Sequence, residues 1–470
     1  MPSLSSISTA LQAVLTHSQV LEITGHNVAN ASTPGYRRQS AILTSEVASS
    51  VNGADHAVGA GQRGGSVTIA KIARFNLAFF DGRYRSVSAE AKNGEAQSEI
   101  LNQLEATLAE TSDDGLLPKL DQFWAGWQSL SSDPTNSSLR NVLLSDASSL
   151  ALAFNRRAEQ INLLRNDQNL AVSSQVDEIN SLADQVAKLN GEISHVLSVG
   201  EQPNDLMDKR DLALDQLANL TGAVSSEQKN GEMVVSIGGH VLVVGHDALK
   251  LQTKTNQTAP NAGMTDVYWS DNQQLIPSSG KLKGTLEARD HILVDQLSGL
   301  NTLAAGLMKQ VNDIHSIGFG LNNSTGKDFF TGSLGNEASS IAVNSLLDAA
   351  SIATSSTINQ AGNNGIALQM VALKTVKGMK TGTVTLNEFY NDQITGLAVT
   401  TKSASDNTYQ YGLVAKALSD QRESVGGVSL DEEAANMAKA QKAYQASARM
   451  LTAFDELLDL VINRMGLVGR

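Results

Sequence analysis

The sequence contains no cysteine in 470 residues. This absence excludes disulfide bonds, thiolate zinc sites and thiol nucleophiles. Aromatic residues make up only 4% of the chain. Leucine, alanine and valine on long helices must therefore supply most of the buried surface. A chain of this length can form about three domains.

Basic charge is also scarce, because 48 acidic residues outnumber 35 basic ones and leave a net charge of -13. That balance argues against nucleic acid as a partner, and against docking on anionic membranes. The nearest approach to a basic patch is Arg74, Arg83 and Arg85, which we interpret as an ordinary solvated surface. No apolar run approaches the ~18 residues of a membrane span. The N-terminus lacks the basic region of a cleaved signal peptide.

The N-terminal segment carries apolar residues three and four positions apart, the spacing of a coiled-coil seam. Ser3 is a plausible helix cap, and Thr33-Pro34-Gly35-Tyr36 reads as a type II turn that ends the helix. Glu22 is the one formally charged residue in 1–36, and such a helix suits a place where protein contacts every side. The main seam positions are Leu4, Ile7, Leu11, Val14 and Leu21.

The C-terminal segment repeats this spacing. Ser429 and Glu432 form a capping box, so we expect the helix to begin there. The alternative is that both ends are ordinary amphipathic helices on a globular core, and the low charge of the first helix favours the coiled coil. Small residues weaken both seams, so we expect helices that are marginal alone and are ordered by neighbouring copies. The C-terminal seam positions are Met437, Tyr444, Leu451, Phe454, Leu458, Val461 and Met465.

The interior alternates helical and strand patterns. Residues 95–221 read as long helices, with Phe123, Trp124 and Trp127 in their core. Residues 233–237 and 240–244 read as a β-hairpin on a two-residue turn, Gly238-Gly239. We predict a mainly α protein with a β insertion, in which both chain ends form a terminal coiled coil next to an elongated helical-bundle body. The predicted domains are a terminal coiled coil (1–36 with 426–470), a mainly helical body (37–221, 285–330 and 384–425), an inserted β domain (222–284) and a Gly/Ser/Asn-rich mixed segment (331–383).

The sequence offers little chemistry for an enzyme. Gly59 to Gly64 matches G-x-G-x-x-G, but a strand pattern follows it where a dinucleotide site needs a helix. Glu192 and His195 have the spacing of a di-iron ligand pair, but no second copy exists. We therefore expect no catalytic, cofactor-binding or metal-binding residues, and no cofactor.

The segment from Gly25 to Arg38, GHNVANASTPGYRR, resembles the N-terminal signature of bacterial flagellar axial proteins, a family of rod, hook and hook-associated subunits. The start of the C-terminal helix resembles the other end of that family. Interior segments at 203–211, 280–290 and 326–330 resemble its hook-associated branch. The resemblance implies that one turn motif shapes the exit from the first helix, and its residues are Asn27, Asn30, Thr33, Pro34, Gly35 and Tyr36.

The resemblance also implies a function: a secreted structural adaptor that joins hook to filament, exported by the flagellar type III system and assembled at the distal end of the hook. Its implied partners are hook protein, the second junction protein (hook-associated protein 3), neighbouring copies in a ring or helical layer, and a cytosolic export chaperone on the C-terminal helix. A hook or rod subunit remains an alternative, and a non-flagellar secreted coiled-coil scaffold is a more distant one.

Overall fold

The computed structural model describes residues 4–46, 65–108 and 115–464. Within these ranges helices dominate and the sheets are small, which confirms the mainly α class with β insertions. The α-helices are α1 Leu4–Ala29, α2 Ala78–Leu108, α3 Leu116–Ser132, α4 Ser137–Ser198, α5 Asn204–Thr221, α6 Gly280–Glu287, α7 Leu293–His315, α8 Glu337–Ser340, α9 Gly365–Ala372, α10 Leu386–Gly426 and α11 Leu430–Asp459. The π-helical turns Ala288–Ile292 and Leu460–Arg464 follow α6 and α11.

Within the described ranges the strands pair antiparallel in four small sheets. The predicted hairpin is confirmed: strands Met233–Ile237 and His240–Val244 are joined by Gly238 and Gly239, which both have the positive φ that a tight hairpin turn requires. The strands are β1 Gln39–Ser45, β2 Val67–Arg74, β3 Val224–Glu227, β4 Met233–Ile237, β5 His240–Val244, β6 Asp247–Ala248, β7 Gln252–Thr255, β8 Thr265–Tyr268, β9 Phe330–Thr331 and β10 Ala342–Val343. The G-x-G-x-x-G motif at 59–64 lies outside the described residues.

The chain divides into two compact units. The first unit comprises Met1–Ser88, Asn180–Lys250 and Gly412–Arg470, and it therefore contains both chain ends. In it, α1 packs along α11 and against the hairpin of β1 and β2. Buried Asn190 joins the end of α4 to the four-stranded sheet, because its amide donates to the carbonyls of Met233 and Gly245.

The second unit comprises Ala89–Ile179 and Leu251–Tyr411. Its core confirms the prediction that the aromatic residues of α3 are buried. The ring of Phe123 lies 5.9 Å from that of Phe329 and 6.3 Å from that of Trp127, measured between centroids. Two phenylalanines that follow α7 thus complete a cluster that α3 begins, and this packing fixes the irregular segment after α7 on the helices.

A buried histidine organises the same segment. The Nδ1 of His315 lies 2.6 Å from the carbonyl oxygen of Lys327, and its Nε2 accepts a hydrogen bond of 3.0 Å from the backbone N–H of Ala353. These partners require a neutral ring with its proton on Nδ1. Burial lowers the pKa of His315, and the hydrogen bond to Lys327 offsets this only in part.

This geometry predicts that stability depends on pH. The folded pKa of His315 lies below its usual value of about 6.5, so the unfolded chain takes up the proton first. The free energy of unfolding should fall as pH drops below about 6.5, by at most about 1.4 kcal/mol per pH unit for this group. Urea unfolding between pH 5 and 7 measures it. His315→Gln keeps a donor and an acceptor but cannot titrate, so equal slopes in both proteins would contradict the assignment.

Candidate assembly site

The two terminal helices lie together, since α1 packs along α11. The buried residues of α11 recur every seven positions, at Glu433, Ala440 and Ser447. Ser429 begins this helix as an N-cap, and its side chain accepts from the backbone N–H of Glu432. Of the predicted C-terminal seam, Tyr444 is exposed and Met465 lies outside the described residues. The half-buried members are Met437, Leu451, Phe454 and Leu458 on α11 and Val461 in the π-helical turn after it.

The first helix presents a different face to the interior than the apolar spacing predicts. Its fully buried residues are small or polar, and they lie beside the predicted seam. Leu11, a predicted seam residue, is 47% exposed, and Val28 near the end of the helix is 38% exposed. Within the single chain the largest apolar side chains of α1 therefore remain available for contact. Ile7, Val14 and Leu21 are half-buried, the side chain of Leu4 is not described, and the buried residues are Ala10, Ala13, Thr16, Thr24 and Asn27.

Asn27 connects three elements at one end of the helix pair. Its amide nitrogen donates to the carbonyl of Gln39 and to Oε2 of Glu433, at 2.8 and 2.9 Å. Its Oδ1 accepts from the backbone N–H of Gln39 and from the hydroxyl of Tyr36. The side-chain amide therefore donates two hydrogen bonds and accepts two. These bonds couple α1, β1 and α11.

The turn after α1 reverses the chain and brings the side chain of Tyr36 to Asn27. The backbone N–H of Tyr36 donates to the carbonyl of Thr33, and Gly35 has φ +80, as a type II turn requires. Asn30 donates to the carbonyl of His26 and accepts from Thr33, which closes the helix end. Burial raises the pKa of Tyr36 above its usual range, so its hydroxyl remains a donor to Asn27.

Removing that hydroxyl tests the turn directly. We expect Tyr36→Phe to lower the free energy of unfolding by about 1 kcal/mol, because Asn27 loses one neutral hydrogen bond. Chemical denaturation of the purified chain measures this change. Tyr409→Phe is the matched control, since Tyr409 is 68% exposed. An equal effect of the two substitutions would show that the turn contributes nothing specific.

Two arginines follow the turn and point to different partners. Arg38 donates to Glu433 and Glu432 at 2.8 Å each, so buried Glu433 receives both Arg38 and Asn27. Arg37 instead donates from Nη2 to Asp81 at 2.9 Å, and from its backbone N–H to Asp208. Consecutive residues thus join the helix pair on one side to a buried charge cluster on the other.

We call this second group the arginine–aspartate cluster. Arg74 pairs with Asp208 and Asp211, and Arg85 pairs with Asp211 and Asp215. The cluster connects β2, α2, α5 and the end of α10 by ion pairs with little access to water. Its members are Arg37, Arg74, Arg85, Arg422, Asp81, Asp208, Asp211 and Asp215.

The interpretation of Arg74, Arg83 and Arg85 as a solvated surface is wrong for two of the three. Arg83 is exposed, but the side chains of Arg74 and Arg85 are only 8% and 7% exposed in this cluster. The available signal was on α5, where Asp208, Asp211 and Asp215 occur at i, i+3 and i+7. That spacing places three carboxylates on one helix face, and buried carboxylates require cations.

The pKa shifts in the cluster reflect a balance of burial and pairing. Burial alone raises the pKa of Asp211, but Arg74 and Arg85 outweigh it and the net pKa lies below its usual value. Burial dominates for Asp208, whose pKa is raised although Arg74 opposes the change. Asp211 therefore holds its charge more firmly than Asp208 does.

The described residues hold no group of three or more metal-binding side chains, and none of their helices has the length and apolar character of a membrane span. Hydrogen bonds and ion pairs hold the helix pair, the turn and the cluster together, while large apolar side chains of the helices remain exposed. This arrangement is suited to packing against other protein.

Comparison with known proteins identifies the class. A family model described as the flagellar hook-associated protein FlgK helical domain matches residues 101–330. A second model, for the C-terminal part of flagellar basal body rod FlgEFG proteins, matches residues 409–465, which include α11. Both matches are to flagellar axial proteins, the class that the paired terminal helices also indicate.

Relatives identify the family. The chain is 30% identical to flagellar hook-associated protein 1 of Bacillus subtilis, over 99% of both chains, and 24% identical to that of Escherichia coli, over 98% and 99%. The Salmonella typhimurium protein is 27% identical over 70% of this chain and 59% of its own. The chain belongs to the flagellar hook-associated protein 1 family. The flagellar hook junction protein FlgK of Burkholderia pseudomallei has the same fold, with a TM-score of 0.66 at 15% identity, over 73% of this chain and 100% of that one.

Proposed function

We propose that this chain is a structural subunit that joins the hook of the bacterial flagellum to its filament at the distal end of the hook. The observation that carries the proposal is similarity to a hook-associated protein 1 over 99% of both chains. That similarity includes both terminal helices, so the ends of the chain are matched as well as its interior. Hook protein, the second junction protein (hook-associated protein 3) and neighbouring copies are the proposed partners.

In the proposed assembly, residues 1–36 and 426–470 pack in the wall of a tube. The first helix supports this role because its predicted seam is only partly covered within one chain, where Leu11 is exposed. Leu15, next to seam residue Val14 in the sequence, is exposed as well. Leu457 on α11 and Leu460 at the start of the π-helical turn that follows it are each 47% exposed. Contacts with neighbouring copies would remove these side chains from water, which favours association by about 25 cal/mol for each Å² of apolar surface.

We also propose that the chain leaves the cell through the flagellar type III system and that a cytosolic chaperone binds α11 before export. Met450, Leu457 and Ile462 support this step, because an apolar surface that awaits partners must be shielded in the cytosol. We infer no enzymatic role, since the family is one of structural flagellar proteins. Turnover by the purified chain that a single carboxylate substitution abolished would overturn this inference.

Electron microscopy of cells that lack the gene tests the function, combined with an assay for flagellin in the medium. Hooks without filaments, together with free flagellin, are the expected result. Missing hooks would instead indicate a rod or hook subunit, which is the nearest alternative. Normal filaments would contradict every flagellar axial role.

A further inference from the structure

A cavity of about 360 Å³ lies in the first unit, apart from the helix pair. It is bordered by β2, the start of α2, the start of α5, and strands β3 and β4. Four cationic residues line it, together with three carboxylates. Arg74 and Arg85 are both already paired with aspartates of the arginine–aspartate cluster. The lining thus has one more cation than carboxylate. Arg210 is the buried cation of this lining that does not belong to the cluster.

Arg210 differs from the other arginines of the wall. It is only 3% exposed, and its Nη1 donates to the carbonyl of Gly231 at 2.6 Å and to Oδ1 of Asn190 at 3.3 Å. Its Nε has no hydrogen-bond partner among the described residues, and none of their carboxylates forms an ion pair with it. Asp211 and Glu227 attract this charge but form no ion pair with it, so it is only partly balanced. A buried charge in that position is costly unless a ligand completes its environment.

The start of α5 adds a second attraction for negative charge. Gln202, Asn204 and Met207, at and before the first turn of this 18-residue helix, line the same cavity as Arg210. Pro203 precedes the helix and supplies no side-chain cap for its first N–H groups. Helix N-termini favour anions because these N–H groups and the helix dipole point toward the ligand.

We propose that this cavity binds a carboxylate group, which Arg210 receives as its counter-charge. The carboxylate comes either from a small acid in solution or from an acidic side chain of a neighbouring subunit. The second source rests on the proposed function, and the first does not. Glu227 lines the cavity and is exposed, so it opposes the incoming charge and sets the affinity.

Burial lowers the pKa of Arg210, and the nearby charges of Asp211 and Glu227 oppose this effect only in part. A bound carboxylate would restore the missing stabilisation. Arg210→Gln should therefore abolish binding, while Glu227→Gln should strengthen it by removing a like charge from the cavity. Opposite changes at two residues of one cavity are not expected from a purely structural role of Arg210.

The test uses the dilute full chain and malonate as the probe, with sodium chloride at equal ionic strength as the reference. We expect the midpoint of thermal unfolding to rise with malonate and to saturate. The rise should be lost in Arg210→Gln, be larger in Glu227→Gln, and be unchanged in Arg83→Gln, a control at an exposed arginine. Equal responses of the wild type and Arg210→Gln, or no response in the wild type combined with normal incorporation of Arg210→Gln at hook tips, would overturn the proposal.

Two further arms identify the source and protect against misfolding. Gln202→Glu places a tethered carboxylate at an exposed position of the cavity wall. It should raise the unfolding midpoint and remove the malonate response, and an unchanged response would count against the proposal. If a neighbouring subunit supplies the carboxylate, Arg210→Gln reduces the amount of chain at hook tips. If a free acid supplies it, incorporation is unchanged while the malonate response is lost. The malonate measurement uses the dilute chain alone, so its outcome does not depend on whether the proposed function is correct.

Discussion

Asp211→Asn should lower the free energy of unfolding of this chain by about 3 kcal/mol, the cost of removing one partner from a buried ion pair. Asp211 receives both Arg74 and Arg85. The amide cannot balance either charge, although Asp208 and Asp215 continue to hold the two guanidinium groups. Urea unfolding of the purified chain, followed by circular dichroism, measures the loss.

The matched control is Asp420→Asn on α10. Asp420 forms an exposed pair with Lys416, four residues before it. Exposed pairs of this kind contribute about 0.5 kcal/mol or less. A large loss of unfolding free energy in Asp211→Asn and a small loss in Asp420→Asn would establish that the cluster stabilises the chain because it is buried. Similar losses at both positions would contradict its role in holding α2, α5 and β2 together.

The double substitution Leu451→Asp with Leu458→Asp should block incorporation at the hook tip or binding of the export chaperone. Both leucines are half-buried on α11, which packs along α1. Burying a leucine contributes on the order of 2 kcal/mol, and an aspartate there adds a charge without a partner. Filament counts by electron microscopy and swimming in soft agar measure the outcome.

Gln445→Asp with Thr452→Asp provides the control, because both residues are exposed on the same helix and the added charge is equal. Filaments should persist in the control and disappear in the leucine variant. Normal filaments in the leucine variant would refute the assignment of this seam. Loss in both would mean that the whole circumference of α11 is packed in the assembled structure.

The helices were predictable from sequence because they depend on neighbours three and four positions apart. The C-terminal helix begins at Leu430, directly after the predicted capping serine, and the hairpin at 233–244 has its predicted strands and turn. These features need only local spacing, capping and turn chemistry. The pairing of α1 with α11 joins the two ends of the chain, and it was predicted from their shared seam spacing.

Which face of α1 is buried could not be predicted from apolar spacing alone. Ala10, Ala13 and Thr16 are covered although larger residues lie beside them. Thr16 donates to the carbonyl of Val67, and the side chain of Ser66 donates to the carbonyl of Thr9, so β2 competes with α11 for the helix surface. Small residues permit that close approach.

The arginine–aspartate cluster escaped prediction for a different reason. The pairs made by the aspartates of α5 connect residues more than 100 positions apart, such as Arg74 with Asp208 and Arg85 with Asp215. A single sequence shows the three aspartates on one face of α5 but not which cations reach them. Tertiary folding alone brings the partners together, and the same holds for Asn27 and Glu433, which lie 406 positions apart.

The most direct test of the central claim is to locate the chain on the flagellum. A short epitope on the chain, labelled with immunogold in cells that make hooks but no flagellin, shows where it resides. We predict label confined to the distal end of each hook. Label along the length of the hook, or at its base, would contradict a junction role and assign the chain to the hook or the rod.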